Sequence, residues 1–260
     1  MSLRLKIVAV LAGLISGMLG VGGGLVVGPS LILAGYSLRR ATGTAVVVIP
    51  FVALASVLCE LIFAPHNFLL LIPLLIFAGG LIGVSLGQKI LRLLPPTTMH
   101  FLFLGLLILA AVKNIDSSLS HIAAPDVSAG LVVNNTRLAV VALAGVLAGI
   151  CAVLFGIGGG IVVVPALVFA IDGMSFTQAS ALSLLAMVPV AGSAALKAIK
   201  QGRADLQLAN KIIWICAPAA IVGVLLRNFS LSHQQLQLCF AVFLLYVALR
   251  MLRRGPIPGT

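Results

Sequence analysis

An all-α polytopic membrane fold of two inverted repeats, about five hydrophobic segments in each, is predicted by three features of the sequence. The first is composition. Of 260 residues, 62% are hydrophobic and 8% charged, and the mean hydropathy is +1.27. Soluble domains carry about 45–50% apolar and about 25% charged residues, so too few polar side chains exist here to coat a water-facing surface. The second is segmentation into apolar stretches at roughly 5–20, 24–36, 42–64, 68–88, 98–113, 137–156, 160–172, 178–199, 210–227 and 235–252. Hydrocarbon admits only spans that satisfy their own backbone groups, which makes these stretches helices. The third is an internal duplication.

Taken in order, the segments are not equal. A helix needs about 20 residues to cross about 30 Å of hydrocarbon. The third, fourth, eighth and ninth segments meet that length. The first follows Arg4 and Lys6 in the manner of a signal peptide, but its counterpart at 137–156 recurs in mid-chain, so it is retained structure. The second and seventh are short, each introduced by a glycine cluster and each containing a proline, Pro29 or Pro165. They read as half-helices or re-entrant pieces, leaving either ten crossings or eight plus broken elements.

The duplication is collinear. Ala12-Gly13, Gly20-Val21-Gly22-Gly23-Gly24, Val27, Pro29 and Leu31 are matched by Ala148-Gly149, Gly156-Ile157-Gly158-Gly159-Gly160, Val163, Pro165 and Leu167 at a constant offset of 136 residues. Ala41-Thr42-Gly43-Thr44-Ala45 and Ala179-Ser180-Ala181-Leu182-Ser183 follow, two residues out of step. The organisation is a first repeat at 1–113, an Asn/Ser/Asp-rich extracytoplasmic linker at 114–136, a second repeat at 137–254 and a cytoplasmic tail at 255–260.

Charge orients the chain. Lys and Arg number 16 against 5 acidic residues, a net charge of +11. With the N-terminus in the cytoplasm and ten segments crossing, the inner loops take every cation except Lys113, Arg137 and Arg227, in keeping with the positive-inside rule. Both termini are then cytoplasmic, and five segments per half invert the second half. The excess charge serves topology and anionic lipid, not nucleic acid, because no basic run carries interleaved aromatics. Cys59, Cys151, Cys216 and Cys239 lack metal or redox spacing and read as small core residues.

Short, glycine-interrupted segments at matching places in inverted halves point to a transporter site at the repeat interface. Glycines let backbone amides approach a ligand, and the helix that follows presents free N–H groups and a positive dipole end. Two such turns converging from opposite faces would cradle an anion. The candidate cradle is Gly22, Gly23, Gly24, Gly158, Gly159 and Gly160, completed by the hydroxyls of Thr42, Thr44, Ser180 and Ser183. Two plainer readings stay beside it: glycines serve close helix packing, and hydroxyls satisfy neighbouring backbone. Glu60, an acid in a long apolar run, is either a proton-handling group or an end-of-helix residue that reaches interfacial water. Pro50 and Pro189 bend the third and eighth helices and are hinge candidates. Lys197 and Lys200 fix topology or steer an anion to the cytoplasmic mouth. GxGGG is not a dinucleotide fingerprint, and no phosphate loop, HExxH or triad grouping occurs. No catalytic residue, cofactor or metal is expected.

These doubled motifs resemble the sulfite exporter TauE/SafE family of membrane permeases, also grouped with sulfonate-uptake carriers. The resemblance rests on Gly20-x-Gly22-Gly23-Gly24 with Pro29, its repeat Gly156-x-Gly158-Gly159-Gly160 with Pro165, Ala41-Thr42-Gly43-Thr44, and the basic-Gly-x-x-Asp stretch Lys200-Gln201-Gly202-Arg203-Ala204-Asp205. It implies a multi-pass bacterial inner-membrane secondary carrier for a small sulfur-containing anion such as sulfite or an organosulfonate. The expected function is a permease working by alternating access; the alternatives are a passive anion channel and a non-transporting membrane scaffold. The expected partners are the anionic substrate and the lipid bilayer, with a homo-oligomer left open.

Overall fold

The computed structural model describes residues 3–65, 71–119, 135–171, 174–229 and 232–253. His66 and Asn67, most of the 114–136 stretch and the tail lie outside these residues. Among the described residues the chain is helical, without strands. The helices are α1 (Leu3–Leu19), α2 (Gly24–Leu33), α3 (Leu38–Phe63), α4 (Leu71–Leu93) and α5 (Pro96–Leu119), then α6 (Asn135–Phe155), α7 (Gly160–Ala170), α8 (Phe176–Lys200), α9 (Leu206–Phe229) and α10 (His233–Leu252). Each expected segment has its helix. Helix α5 runs on to Leu119, past the expected start of the linker at 114. Among the described residues, five helices (α3, α4, α6, α8 and α9) are long and apolar enough to cross a membrane.

Local chemistry sets the boundaries. Gly20 and Gly156, at φ 72° and 67°, end α1 and α6 in the left-handed region that other residues resist. Ser175 and Gln178 form a reciprocal capping box at the start of α8. The Asp205 carboxylate accepts from the Leu208 amide at 3.0 Å and so caps α9.

Two helix pairs are held by backbone contact. Along α4, Gly79 lies against Ala142, Gly83 against Val146 and Gly87 against Ile150 of α6, while Gly145 and Gly149 return the contact to Ile76 and Gly80. The positions rise together, so α4 and α6 run parallel. Gly13 against Cys216 and Gly17 against Ala220 make α1 and α9 a second parallel pair. A Cβ at Gly17 or Gly83 would fall inside a facing carbonyl oxygen, which only glycine permits.

Between these pairs stand α3 and α8, about 39 Å and about 37 Å long at 1.5 Å per residue. They run antiparallel, since Gly43 near the start of α3 meets the Arg203 carbonyl just beyond the end of α8. Hydrogen bonds gather four helix ends on one basic face: the starts of α3 and α9 through Arg40 and Asp205, the ends of α4 and α8 through Gln88 and Gln201. Helix α1, parallel to α9, starts on that face, whereas α6, parallel to α4, starts on the opposite one.

Candidate functional site

Half-helices converge at the centre of this frame. At 10 and 11 residues, α2 and α7 extend only about 15 Å and about 16 Å. Their preceding turns meet. The space beside the Gly24 Cα is taken by the Gly156 carbonyl and the Ile157 Cα, and that beside the Gly160 Cα by the Gly20 carbonyl and the Val21 Cα. The contact is reciprocal between matching positions of the two halves. Gly22, Gly23, Gly158 and Gly159 all hold φ between 73° and 87°. Neither α2 nor α7 has a side-chain cap, so their first amides and positive dipole ends face the junction undressed.

Two apolar side chains fill the junction. Gly22 and Gly158 each lie against both Ile49 of α3 and Met187 of α8. Those residues sit midway along their helices, so the turns meet at the midplane of the α3–α8 pair. Pro50 follows Ile49 directly and Pro189 lies two residues after Met187, so both proline breaks in the hydrogen-bond ladder fall at this level.

The four predicted hydroxyls divide. Ser183 donates to the Gly20 carbonyl at 3.1 Å and Ser180 to that of Leu19 at 3.5 Å, tying α8 to the first turn. Thr42 is the counterpart of Ser180: its backbone lies against Gly156, and its hydroxyl donates to Arg39. Thr44 is not part of the junction. Its hydroxyl donates to the Arg40 carbonyl at 2.7 Å and accepts from the Asp205 amide at 2.9 Å, joining α3 to α9 on the basic face.

Glu60, eleven residues beyond Ile49 on α3, does not reach interfacial water as one reading had it. Its side chain is 1% exposed and is paired with Arg227, fully buried, at 2.5 Å. The Asn228 amide donates to the same carboxylate oxygen at 3.0 Å, and Arg227 also donates to the Gly17 carbonyl of α1 at 3.1 Å. Arg227 was expected in an outer loop. The correction has a simple cause: a carboxylate in an apolar run needs a buried partner of opposite charge.

The pattern of the family described as "Sulfite exporter TauE/SafE" matches residues 2–114 and 141–259, one stretch in each half. The chain belongs to the sulfite exporter TauE/SafE family. It is also similar to the "Probable membrane transporter protein YdhB" of Bacillus subtilis (strain 168), with 24% identity over 223 residues that cover 85% of this chain and 89% of the relative. This TauE/SafE protein is therefore a multi-pass membrane transporter, from a family of transporters and not of enzymes.

The family's basic-Gly-x-x-Asp stretch has a structural basis here. Gly202 makes the turn at φ 65°, Asp205 caps α9, and the cap pairs with Arg40 at 3.2 Å. Arg203, half-buried between them, is pushed below its ordinary pKa by burial and then by the Arg39 charge. A cleft of about 380 Å³ beside Asp205 opens on this face, lined by Leu5, Ala34, Tyr36, Gln207, Leu208 and Lys211. Arg227, Asn228 and Gly17 escaped the sequence reading. The available signal was Glu60 itself, which demands a cation, and Arg227 in the apolar run Val224-Leu225-Leu226-Arg227 was one of three cations outside the inner loops.

Proposed function

We infer that this protein is a secondary permease of the bacterial inner membrane for a small sulfur oxyanion, sulfite or an organosulfonate, working by alternating access between inverted halves. The observation that carries it is the reciprocal meeting of the two glycine turns at the midplane. The orientation of the helices supports the inversion: α1 starts on the basic face and α6 on the opposite one, while α4 and α9 are likewise opposed. The basic face is then cytoplasmic by the positive-inside rule, and both termini lie there.

In this reading the uncapped amides of α2 and α7, at Gly22–Gly24 and Gly158–Gly160, bind the anion without any lysine or arginine. Ser180, Ser183 and Thr42 adjoin them, and Thr44 serves the α3–α9 joint. The conformation described is the closed one. Ile49 and Met187 occupy the junction, and bending at Pro50 and Pro189 withdraws them to admit substrate. The tight pairs α1–α9 and α4–α6 each combine one helix from either half, and they move as rigid units against α3 and α8.

The test is flux of sulfite and methanesulfonate into proteoliposomes. Gly23→Leu with Gly159→Leu is expected to reduce both strongly while the purified protein stays monodisperse. Undiminished flux through that folded variant would overturn the cradle, and a wild-type carrier that moves neither anion would overturn the permease reading.

A further inference from the structure

The Glu60–Arg227 cluster lies away from the glycine turns but is wired to them. Arg227 holds the Gly17 carbonyl, one turn before Gly20. Three helices thus meet on one guanidinium: α1 through Gly17, α3 through Glu60, and α9, which carries it. The guanidinium is fully buried and its Nε finds no acceptor. Beyond the cluster, toward the face opposite Arg40, the exposed rings of Phe63 and Phe229 pack edge to face at 6.3 Å.

Two donors, from Arg227 and Asn228, converge on a single carboxylate oxygen of Glu60. That is the donor geometry of an oxyanion site, occupied here by an internal carboxylate. Charge neutrality dictates what can replace it. With Glu60 ionised, the pair sums to zero. A bare anion added to that pair would leave a net negative charge in a dry interior, which is strongly unfavourable. If Glu60 takes a proton, its carboxylic acid no longer answers the Arg227 charge, and one monovalent anion restores neutrality.

We propose that Arg227, with Asn228, is a second oxyanion site of the carrier, and that an incoming monovalent anion, a sulfonate or hydrogensulfite, displaces Glu60 from it only as Glu60 is protonated. The proton resides on the Glu60 carboxylate and the anion on the guanidinium, so both cross together in a one-to-one, electrically silent step. Release of Glu60 also frees this end of α3 from the α1–α9 unit, parting the Phe63–Phe229 rings, while the Asp205 bonds to Thr44 and Arg40 hold the other end. Of the other titratable groups along these helices, His66, three positions beyond Phe63 in the chain, lies outside the described residues. Cys59 adjoins Glu60, Cys216 donates to the Ala9 carbonyl farther along α9, and Arg4, Lys6, Arg39, Arg40 and Lys211 lie at the opposite ends of the three helices.

This proposal rests on the permease reading, and the experiment separates the two. Proteoliposomes containing a pH-sensitive dye receive methanesulfonate, whose charge is permanent and which carries no proton of its own. Wild type is expected to acidify the lumen as methanesulfonate enters, faster as external pH falls. Glu60→Gln is expected to move methanesulfonate without acidification and with a flat pH profile. The neutral pair Glu60→Gln/Arg227→Gln, which leaves no unpaired buried charge and so protects folding, is expected to lose roughly tenfold or more of the flux. Acidification by Glu60→Gln at the wild-type pH slope, or wild-type flux through the neutral pair, would overturn the proposal and leave the permease standing. Proton-free sulfonate entry in wild type would do the same. A wild-type carrier that moves neither sulfite nor methanesulfonate would overturn both.

Discussion

Helices α3 and α9 are joined near their ends by Glu60, Arg227 and Asn228, whereas α4 and α8, joined near their ends on the opposite face, use Lys197 to Ser85 at 3.2 Å and Gln201 to Gln88 at 2.7 Å. Duplication makes α9 the counterpart of α4 and α3 that of α8, so these are related places in the fold. They differ in solvent. The first joint is dry and carries two opposed charges; the second is exposed and pairs a lysine with a hydroxyl. A wet joint is cheap to make and break, because water replaces each bond. A dry ion pair separates only when its charges are otherwise compensated. In the alternating-access cycle proposed above, this difference would let one mouth open freely while the other needs a chemical trigger.

The sharpest way to break this contrast is Arg227→Ala, which strands the Glu60 carboxylate in the interior. It is expected to cost about 3–5 kcal/mol of stability, read as a large fall in Tm of the detergent-solubilised protein, with Glu60→Gln/Arg227→Gln recovering most of it. If both variants melt with the wild type, the cluster is hydrated and the contrast fails. Next come the tight pairs. Gly17→Ala and Gly83→Ala each drive a Cβ into a facing carbonyl and should cost about 1–3 kcal/mol, nearly equally, because the α1–α9 and α4–α6 contacts are alike. A Tm lowered by only one of them would show that a single pair is rigid. Asp205→Ala removes the α9 cap and the Arg40 pair together and should cost about 1 kcal/mol. Least affected should be Lys197→Ala, within about 0.5 kcal/mol of wild type, with added salt changing its flux more than its stability.

Much of this molecule was legible before any coordinates. Apolar length placed all ten helices, and Gly20 and Gly156 marked the ends of α1 and α6, because a glycine cluster that interrupts a hydrophobic run has few other uses. Register along the chain also identified the matching turns. What could not be read was which side chains fill the space between them. Ile49 and Met187 look like any other apolar residues of a long helix, and only packing brings each against both Gly22 and Gly158. Thr44 shows the converse: it stands in the small-residue cluster two residues after Thr42, yet its hydroxyl accepts from the Asp205 amide, a contact 161 positions away in the chain.

The amino-acid order settles the solvent, the number of helices, their lengths and the duplicated half-helices, since these depend on transfer free energy and local backbone preference, which act over neighbouring residues. The partnership of Glu60 with Arg227, 167 positions apart, the parallel pairing of α1 with α9, and the closure of the junction by two ordinary aliphatic side chains arise from folding. Pairing over such separations is chosen by the summed fit of whole surfaces and by the need to neutralise a charge in the interior, and no short stretch of chain contains either.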